Sequence, residues 1–268
     1  MITSISNSKV KNVINLIGRS KTRKEQHSFV VEGVKMFLEA PPERIKEIYV
    51  SESLLKRSLS DKGKLFEKLQ ELEYEVVADE VFGKMSDTKT PQGILCVVEQ
   101  FSYTLPEILA PANGLWMVLE DIQDPGNLGT ILRTGEGAGI HGVIMTQNTV
   151  DIYNPKTIRA TMGSIYRVPF IYVEKIQLAI AYMKELGIKI YAAHLSGRNF
   201  YDYIDFREKT AFLIGNEGNG LKEETAKLAA AYLKIPMEGE VESLNAGVAA
   251  AVLMYEAKRQ RSQLPKIR

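Results

Sequence analysis

One cysteine in 268 residues, Cys96, rules out an internal disulfide. It lies in the apolar stretch Ile94–Val98 and reads as a small core residue, which fits a reducing, cytoplasmic setting. Histidine is almost as scarce. His27, His141 and His194 stand far apart with no cysteine beside them, which argues against a metal centre. Long apolar runs are missing too: the longest uncharged one, Ala246 to Tyr255, is too short to cross a bilayer. The opening Met1-Ile2-Thr3-Ser4-Ile5-Ser6 lacks the basic and apolar blocks of a secretory signal. No internal repeat, low-complexity tract, Ser–His–Asp order or nucleophile elbow occurs. What is present, 45% hydrophobic and 25% charged residues, is the composition of an ordinary globular protein long enough for two modest domains or one large one.

Net charge is also nearly absent, at +1, and argues neither for nor against nucleic acid. Its distribution says more. Residues 1–35 carry Lys9, Lys11, Arg19, Lys21, Arg23, Lys24 and Lys35 against Glu25 and Glu32. The chain after Glu256 carries Lys258, Arg259, Arg261, Lys266 and Arg268 with no acid. Two basic ends are compatible with phosphate contact, while a solvated helix and a frayed tail explain each patch taken singly.

Apolar spacing predicts a helix over residues 4–18, a strand Phe29–Glu32 and a helix Lys35–Ala40 stopped by Pro41-Pro42. A strand Ile45–Val50, a helix Leu54–Leu72, a strand Glu75–Ala78, a helix Glu80–Met85 and a strand Gly93–Gln100 complete an α/β unit over 1–100. Residues 101–114, with Pro106, Pro111, Asn113 and Gly114, read as a linker. From 115 to 268 strands alternate with helices. Strands are predicted at Leu115–Leu119, Gly142–Met145, Val168–Val173, Ile188–Ala193, Thr210–Ile214 and Tyr232–Ile235. Helices are predicted near Leu128–Gly137, Pro155–Tyr166, Ile176–Leu186 and Lys222–Ala231, with a last one over Val248–Gln260. The pattern implies a mainly parallel sheet covered on both faces, with ligands beyond the carboxyl ends of its strands.

Gly137-Ala138-Gly139-Ile140-His141-Gly142 satisfies G-x-G-x-x-G but follows a helix and opens a strand, the reverse of a dinucleotide loop. The loop after Leu119 offers acids and a proline in place of phosphate-cradling glycines. Asp124-Pro125-Gly126-Asn127 reads as a turn ending in an N-cap, and Asn127, Thr130 and Arg133 share one side of the helix that follows. Arg133 there is a surface residue or a functional one. Leu213-Ile214-Gly215-Asn216-Glu217-Gly218-Asn219-Gly220 is an apolar strand ending in a glycine-rich turn, either a plain left-handed turn or a ligand loop. Glu242-Ser243-Leu244-Asn245 precedes a helix of very small residues, Ala246, Gly247, Ala249, Ala250 and Ala251. Ser243 or Asn245 can cap that helix, and the small residues let another backbone or a flat ligand approach.

Taken together, three segments resemble the SpoU (TrmH) family of RNA ribose methyltransferases in the SPOUT superfamily. They are Asn127-Leu128-Gly129 with Arg133; Ile214 to Gly218 with Gly220; and Ile235-Pro236-Met237 with Glu242 to Asn245 and Gly247-Val248-Ala249. Asn154-Pro155-Lys156 and Arg159 to Gly163 resemble the family's intermediate segment. Phe29 to Gly33 and Thr90 to Gly93 carry a looser likeness to the α/β RNA-binding domain that often precedes it. The resemblance implies a trefoil-knotted parallel-sheet domain, a homodimer, and S-adenosylmethionine as cofactor with no metal. It places Gly215, Gly220, Ile235, Met237 and Leu244 around the cofactor. It places Arg133, Asn127, Glu217, Ser243 and Asn245 at the reacting ribose. With the basic patches, it nominates Lys9, Arg19, Arg23, Lys24, Lys156 and Arg159 as RNA contacts. The expected activity is 2′-O-methylation of structured RNA, ribosomal RNA rather than tRNA. A catalytically silent ribosome-assembly protein of the same fold is the alternative from another class, and a small-molecule or base methyltransferase a third reading.

Overall fold

The computed structural model describes residues 1–262, which form two compact units. One holds residues 1–101 with 151–166; the other holds 102–150 with the described chain from 167 onward.

In the first unit, helix α1 (Ser8–Gly18) starts where the Asn7 side chain accepts the Lys9 N–H. Val10, Val13 and Leu16 of α1 are buried at helical spacing. Helix α2 (Ser20–Gln26) has no apolar stripe and was not expected. Then come β1 (Ser28–Glu32), α3 (Val34–Glu39), β2 (Ile45–Ser51), α4 (Glu52–Asp61), α5 (Lys64–Gln70), β3 (Glu75–Val77), α6 (Asp79–Met85) and β4 (Ile94–Glu99). The sheet order is β1-β4-β2-β3, with β4 antiparallel to β1 and β2, and β3 parallel to β2. Val30, Tyr49, Leu95 and Val97 of this sheet pack with α1 and with Val81 and Phe82 of α6. The helix expected over Leu54–Leu72 is two helices, because Lys62 takes the left-handed conformation (φ 45°) and Gly63 follows it.

The second unit begins inside the expected linker. Helix α7 (Leu105–Leu109) is closed by a reciprocal capping box between Thr104 and Glu107, and its Ile108 and Leu109 are core residues. The chain continues through β5 (Leu115–Leu119), α8 (Pro125–Ala138) and β6 (Gly142–Thr146). Helix α9 (Pro155–Thr161) belongs to the first unit and stops short of Tyr166, because Met162 (φ 51°) and Gly163 (φ 101°) turn the backbone. The second unit resumes with β7 (Phe170–Val173), α10 (Ile176–Glu185), β8 (Lys189–Ala193), β9 (Asn199–Phe200), β10 (Thr210–Ile214), α11 (Glu223–Ala226), β11 (Ala231–Lys234) and α12 (Ala246–Ser262). The helix expected over Lys222–Ala231 is therefore a single turn.

All strands of this sheet run parallel, in the order β7-β6-β5-β10-β8-β11-β9. Every residue of β5 and β10 is buried, as a central parallel strand requires. Trp116, Val118, Ala211 and Leu213 pack with α7 and α10. Met117, Leu119, Phe212 and Ile214 alternate to the opposite face, where α12 packs against β10 and α8. The small residues of α12 serve this contact: a Cβ on Gly247 would lie 3.4 Å from Thr130 of α8. The strand order steps from β5 toward β7 on one side and through β10 on the other. The β5/β10 boundary is thus the switch point, where open parallel sheets place their ligands.

Candidate active site

The loop after β5 ends in α8, and its first turn differs from expectation. The cap is Asp124, whose side chain accepts the Asn127 N–H at 2.8 Å, and Pro125 occupies the first helical position. Proline is suited to that position because its missing N–H would have had no partner. Asn127 is thereby relieved of capping and lies inside the first turn, 7% exposed.

Its side chain joins two other loops. Asn127 Nδ2 donates to Glu217 Oε1 at 2.9 Å, and Asn127 Oδ1 accepts from Asn245 Nδ2 at 2.8 Å. Asn245 Oδ1 in turn accepts the N–H groups of Gly247 (2.9 Å) and Val248 (3.2 Å), which makes Asn245 the cap of α12. The direction of the relay follows from chemistry. A carboxylate only accepts, so the Asn127 amide must face it with nitrogen, and the Asn245 amide is oriented in its turn. Glu217 also accepts the backbone N–H groups of Gln123 (3.1 Å) and Asp124 (3.0 Å) at the start of α8. Burial pushes its carboxyl up, but the hydrogen bonds from Asn127, Gln123 and Asp124 outweigh that and hold it below its ordinary value.

The β10 loop is built on close backbone approach. A Cβ on Gly215 would lie 2.2 Å from Gly220 C and Leu221 N, so no other residue fits. Asn216 and Gly220 exchange both backbone hydrogen bonds (3.0 and 2.9 Å), with Gly220 at φ 66°. Asn216 Nδ2 reaches the Asp121 carbonyl at 2.9 Å, tying this loop to the one after β5. Ile235, Met237 and Leu244, from the stretch between β11 and α12, are half-buried, while Ser243 is exposed.

The structure thus brings Asn127, Glu217 and Asn245 together by hydrogen bonds. Ser243 and Arg133 stand outside that network. Arg133 is exposed on α8 and makes no hydrogen bond or ion pair among the described residues. The row expected along α8 turns outward, from buried Asn127 to exposed Thr130 and Arg133. A fourth loop went unnoticed in the sequence. After β8, the His194 N–H donates to the Leu233 carbonyl at 3.0 Å, and a Cβ on Gly197 would lie 2.8 Å from Leu233 C. His194 to Gly197 therefore borders β11 at its carboxyl end. The signal was available: a polar, glycine-bearing turn directly after a predicted strand.

Among the nominated RNA contacts, Arg23 needs correction. It is 4% exposed, pairs with Asp151 at 2.6 Å, and donates to the carbonyls of Leu16 (2.7 Å) and Ile17 (3.0 Å) at the end of α1. Its guanidinium is spent on the first unit's fold. Lys9 pairs with Glu75 at 2.6 Å and Arg159 with Asp87 at 2.9 Å, both at exposed sites, while Arg19, Lys24 and Lys156 are exposed. The basic C-terminal segment is also largely structural. Arg261 donates to the carbonyls of Phe206 (2.8 Å), Asn113 (3.0 Å) and Gly114 (3.1 Å), and Arg259 pairs with Glu256. Lys266 and Arg268 lie outside the described residues. No group of three or more His, Cys, Asp or Glu side chains suited to a metal occurs among the described residues.

Comparison with known proteins places this sheet and its loops in a known family. Residues 114–255 match the SpoU rRNA Methylase family and residues 7–96 match the MRM3-like substrate binding domain. The chain belongs to the SpoU rRNA methylase family. It is 31% identical over 259 residues to the 23S rRNA (guanosine(2553)-2'-O)-methyltransferase RlmP of Bacillus subtilis, covering 96% of this chain and 98% of that one. It is 32% identical over 224 residues to the 23S rRNA (guanosine-2'-O-)-methyltransferase RlmB of Bordetella pertussis, covering 82% and 91%. Among solved structures, the AdoMet-bound rRNA methyltransferase from Sinorhizobium meliloti superposes with a TM-score of 0.82 at 30% identity, covering 96% of this chain and 97% of that one. The SpoU methyltransferase AviRb from Streptomyces viridochromogenes, in complex with AdoMet, superposes with a TM-score of 0.85 at 26% identity, covering 96% and 99%.

Proposed function

We propose that this protein transfers a methyl group from S-adenosylmethionine to a ribose 2′-hydroxyl of ribosomal RNA. The observation that carries the reading is the relay Glu217–Asn127–Asn245, which ties the loops after β5 and β10 to the start of α12. The residues present suit the cofactor. Half-buried Ile235, Met237 and Leu244 supply apolar walls, and the glycine turn Gly215–Gly220 leaves backbone groups for the few polar contacts an adenine needs. When bound, the cofactor supplies an electrophilic methyl on a sulfonium.

The chain's own residues do the rest. A ribose hydroxyl must lose its proton as the methyl is transferred. The guanidinium of Arg133, which has donors and no acceptor, serves to orient the hydroxyl and to stabilise developing oxyanion, with an RNA phosphate as proton acceptor. Glu217, Asn127 and Asn245 hold the loops in register, and Ser243 contacts ribose or cofactor. Exposed Arg19, Lys24 and Lys156, with Lys9 and Arg159, supply phosphate contacts.

The C-terminal segment is read as threaded into a trefoil knot, and the active form as a cytoplasmic homodimer through the second unit. Val248 and Tyr255, one heptad apart on α12, are 47% and 49% exposed and available for such a contact. Sedimentation at micromolar concentration tests the dimer, and a monomer overturns it. Titration calorimetry with S-adenosylmethionine, followed by labelled methyl transfer to ribosomal RNA, tests the activity. Absence of both leaves the silent assembly protein as the reading, and transfer to tRNA alone reassigns the substrate.

A further inference from the structure

A polar cleft of 480 Å³ opens beside the Gly215–Gly220 loop, at the carboxyl ends of β5, β6 and β10. Its volume falls within the roughly 300–1,000 Å³ of small-ligand clefts. Asp121, Asn148, Asn219 and Lys222 line it together with Glu120 and Gln123, and no aromatic side chain does. That lining cannot stack a base, which is how single-stranded nucleotides gain most of their base-directed affinity.

It suits a sugar and a phosphate instead. Asp121 is held in the left-handed region (φ 57°) at the end of β5. Its carboxylate accepts the Thr146 hydroxyl at 2.8 Å through Oδ1 and pairs with Lys222 at 2.8 Å through Oδ2. The Asn148 side chain is a third donor to it, which leaves the carboxylate one lone pair for a hydroxyl donor. Lys222 has its side chain 52% exposed, with N–H donors left over beyond the Asp121 pair. The Asn219 side-chain amide has no partner among the described residues, and it both donates and accepts. Glu120, by contrast, is 2% exposed and turned into the fold, where it accepts the Thr225 hydroxyl at 2.6 Å and the Lys222 backbone N–H at 2.8 Å. A carboxylate for a 2′-hydroxyl, an amide for a neighbouring ribose oxygen and an ammonium for a phosphate together suit a ribose-phosphate unit of an RNA chain.

We propose that this cleft binds the ribose-phosphate of a nucleotide flanking the methylated one, with Asp121 accepting its 2′-hydroxyl and Lys222 meeting its phosphate. The proposal rests on the RNA substrate proposed above. It gives the enzyme a way to tell RNA from DNA at a position where no chemistry occurs, because only RNA presents that hydroxyl.

The test is a deoxy scan of a short synthetic RNA hairpin centred on the target nucleotide, located by mapping ribose methylation in cells. One flanking 2′-deoxy substitution is expected to lower kcat/KM about tenfold with the native protein, the worth of one hydrogen bond to a charged group. Asp121→Asn is expected to be impaired on all-ribose RNA and to lose most of the discrimination against that deoxy position. Asn219→Ala, on the exposed loop, is expected to weaken the same discrimination and serves if Asp121→Asn does not fold. A scan in which no flanking deoxy position matters while transfer proceeds overturns the cleft and leaves the methyltransferase reading intact. So does undiminished discrimination in Asp121→Asn or, if that does not fold, in Asn219→Ala. No cofactor binding and no transfer to any RNA overturns both.

Discussion

Arg23 and Arg133 are both single arginines on helices, and both read from sequence as candidate nucleic-acid or substrate contacts. The structure treats them oppositely. Arg23, on α2, is enclosed and paired with Asp151, capping the end of α1 through Leu16 and Ile17. Arg133, on α8, is exposed and unengaged among the described residues. A guanidinium whose donors are satisfied by the fold holds the fold together, whereas one held on a rigid helix with its donors free is available for a ligand. Charge alone does not separate the two cases; the count of satisfied donors does.

The comparison is broken most directly at Arg133. Arg133→Ala is expected to lower single-turnover methyl transfer on the order of 10²–10³-fold, the usual loss when a donor aimed at developing oxyanion is removed. Melting temperature and cofactor affinity should hold. Near-normal transfer in a folded variant removes Arg133 from the mechanism. Arg23→Met is expected to behave in reverse. It strands Asp151, costing about 3 kcal/mol of stability by denaturant titration, while transfer per folded molecule stays near native. A variant as stable as the parent but defective in RNA binding restores Arg23 to the contact surface.

Between these extremes lies the relay, where a residue should serve fold and function at once. Asn127→Ala leaves Glu217 without its nearer side-chain donor and Asn245 without its acceptor, and should cost about 1–3 kcal/mol. Its distinguishing readout is cofactor binding, because the α12 start and the β10 loop lose their common partner. Weakened affinity for S-adenosylmethionine, restored in part by Asn127→Gln, marks a positioning role. Lost stability with unchanged affinity marks a purely structural one.

How legible each region was follows from the kind of force that shapes it. The parallel sheet and its covering helices were readable because apolar burial leaves a periodic trace, as in Leu115–Leu119 and Thr210–Ile214. Helix α2 left none: Ser20–Gln26 is polar throughout, and what it buries is the arginine. The start of α8 was misplaced by a turn because Pro125 was taken as part of a turn rather than as a first helical residue. Asn127, Glu217 and Asn245 were each nominated, yet their contacts span 90 and 118 residues of sequence, beyond any local pattern. The loop His194–Gly197 was legible in principle and overlooked, since its neighbour β11 comes much later in the chain. The linker was misread because Pro106 sits in the first turn of α7, where proline starts helices instead of ending them.

The smallest expected effect is the pH dependence of the same relay. Glu217 has its pKa depressed in the folded protein by the donors around it. A carboxylate depressed on folding contributes stability that is complete above its unfolded pKa, near 4.5, and is lost as pH falls through the lower folded value. Protonation converts one carboxyl oxygen into a donor and removes the charge that the Asn127 amide and the Gln123 and Asp124 N–H groups share, so the loops after β5 and β10 should loosen in that acid range before the rest of the unit. Glu217→Gln keeps the size and one acceptor oxygen but cannot titrate. Its stability relative to the parent, followed by thermal denaturation from neutral pH downward, should start lower and converge on the parent below the folded pKa. Parallel curves over the whole range would mean that Glu217 binds its proton equally in both states, and that the relay is held by Asn127 and Asn245 without help from its charge.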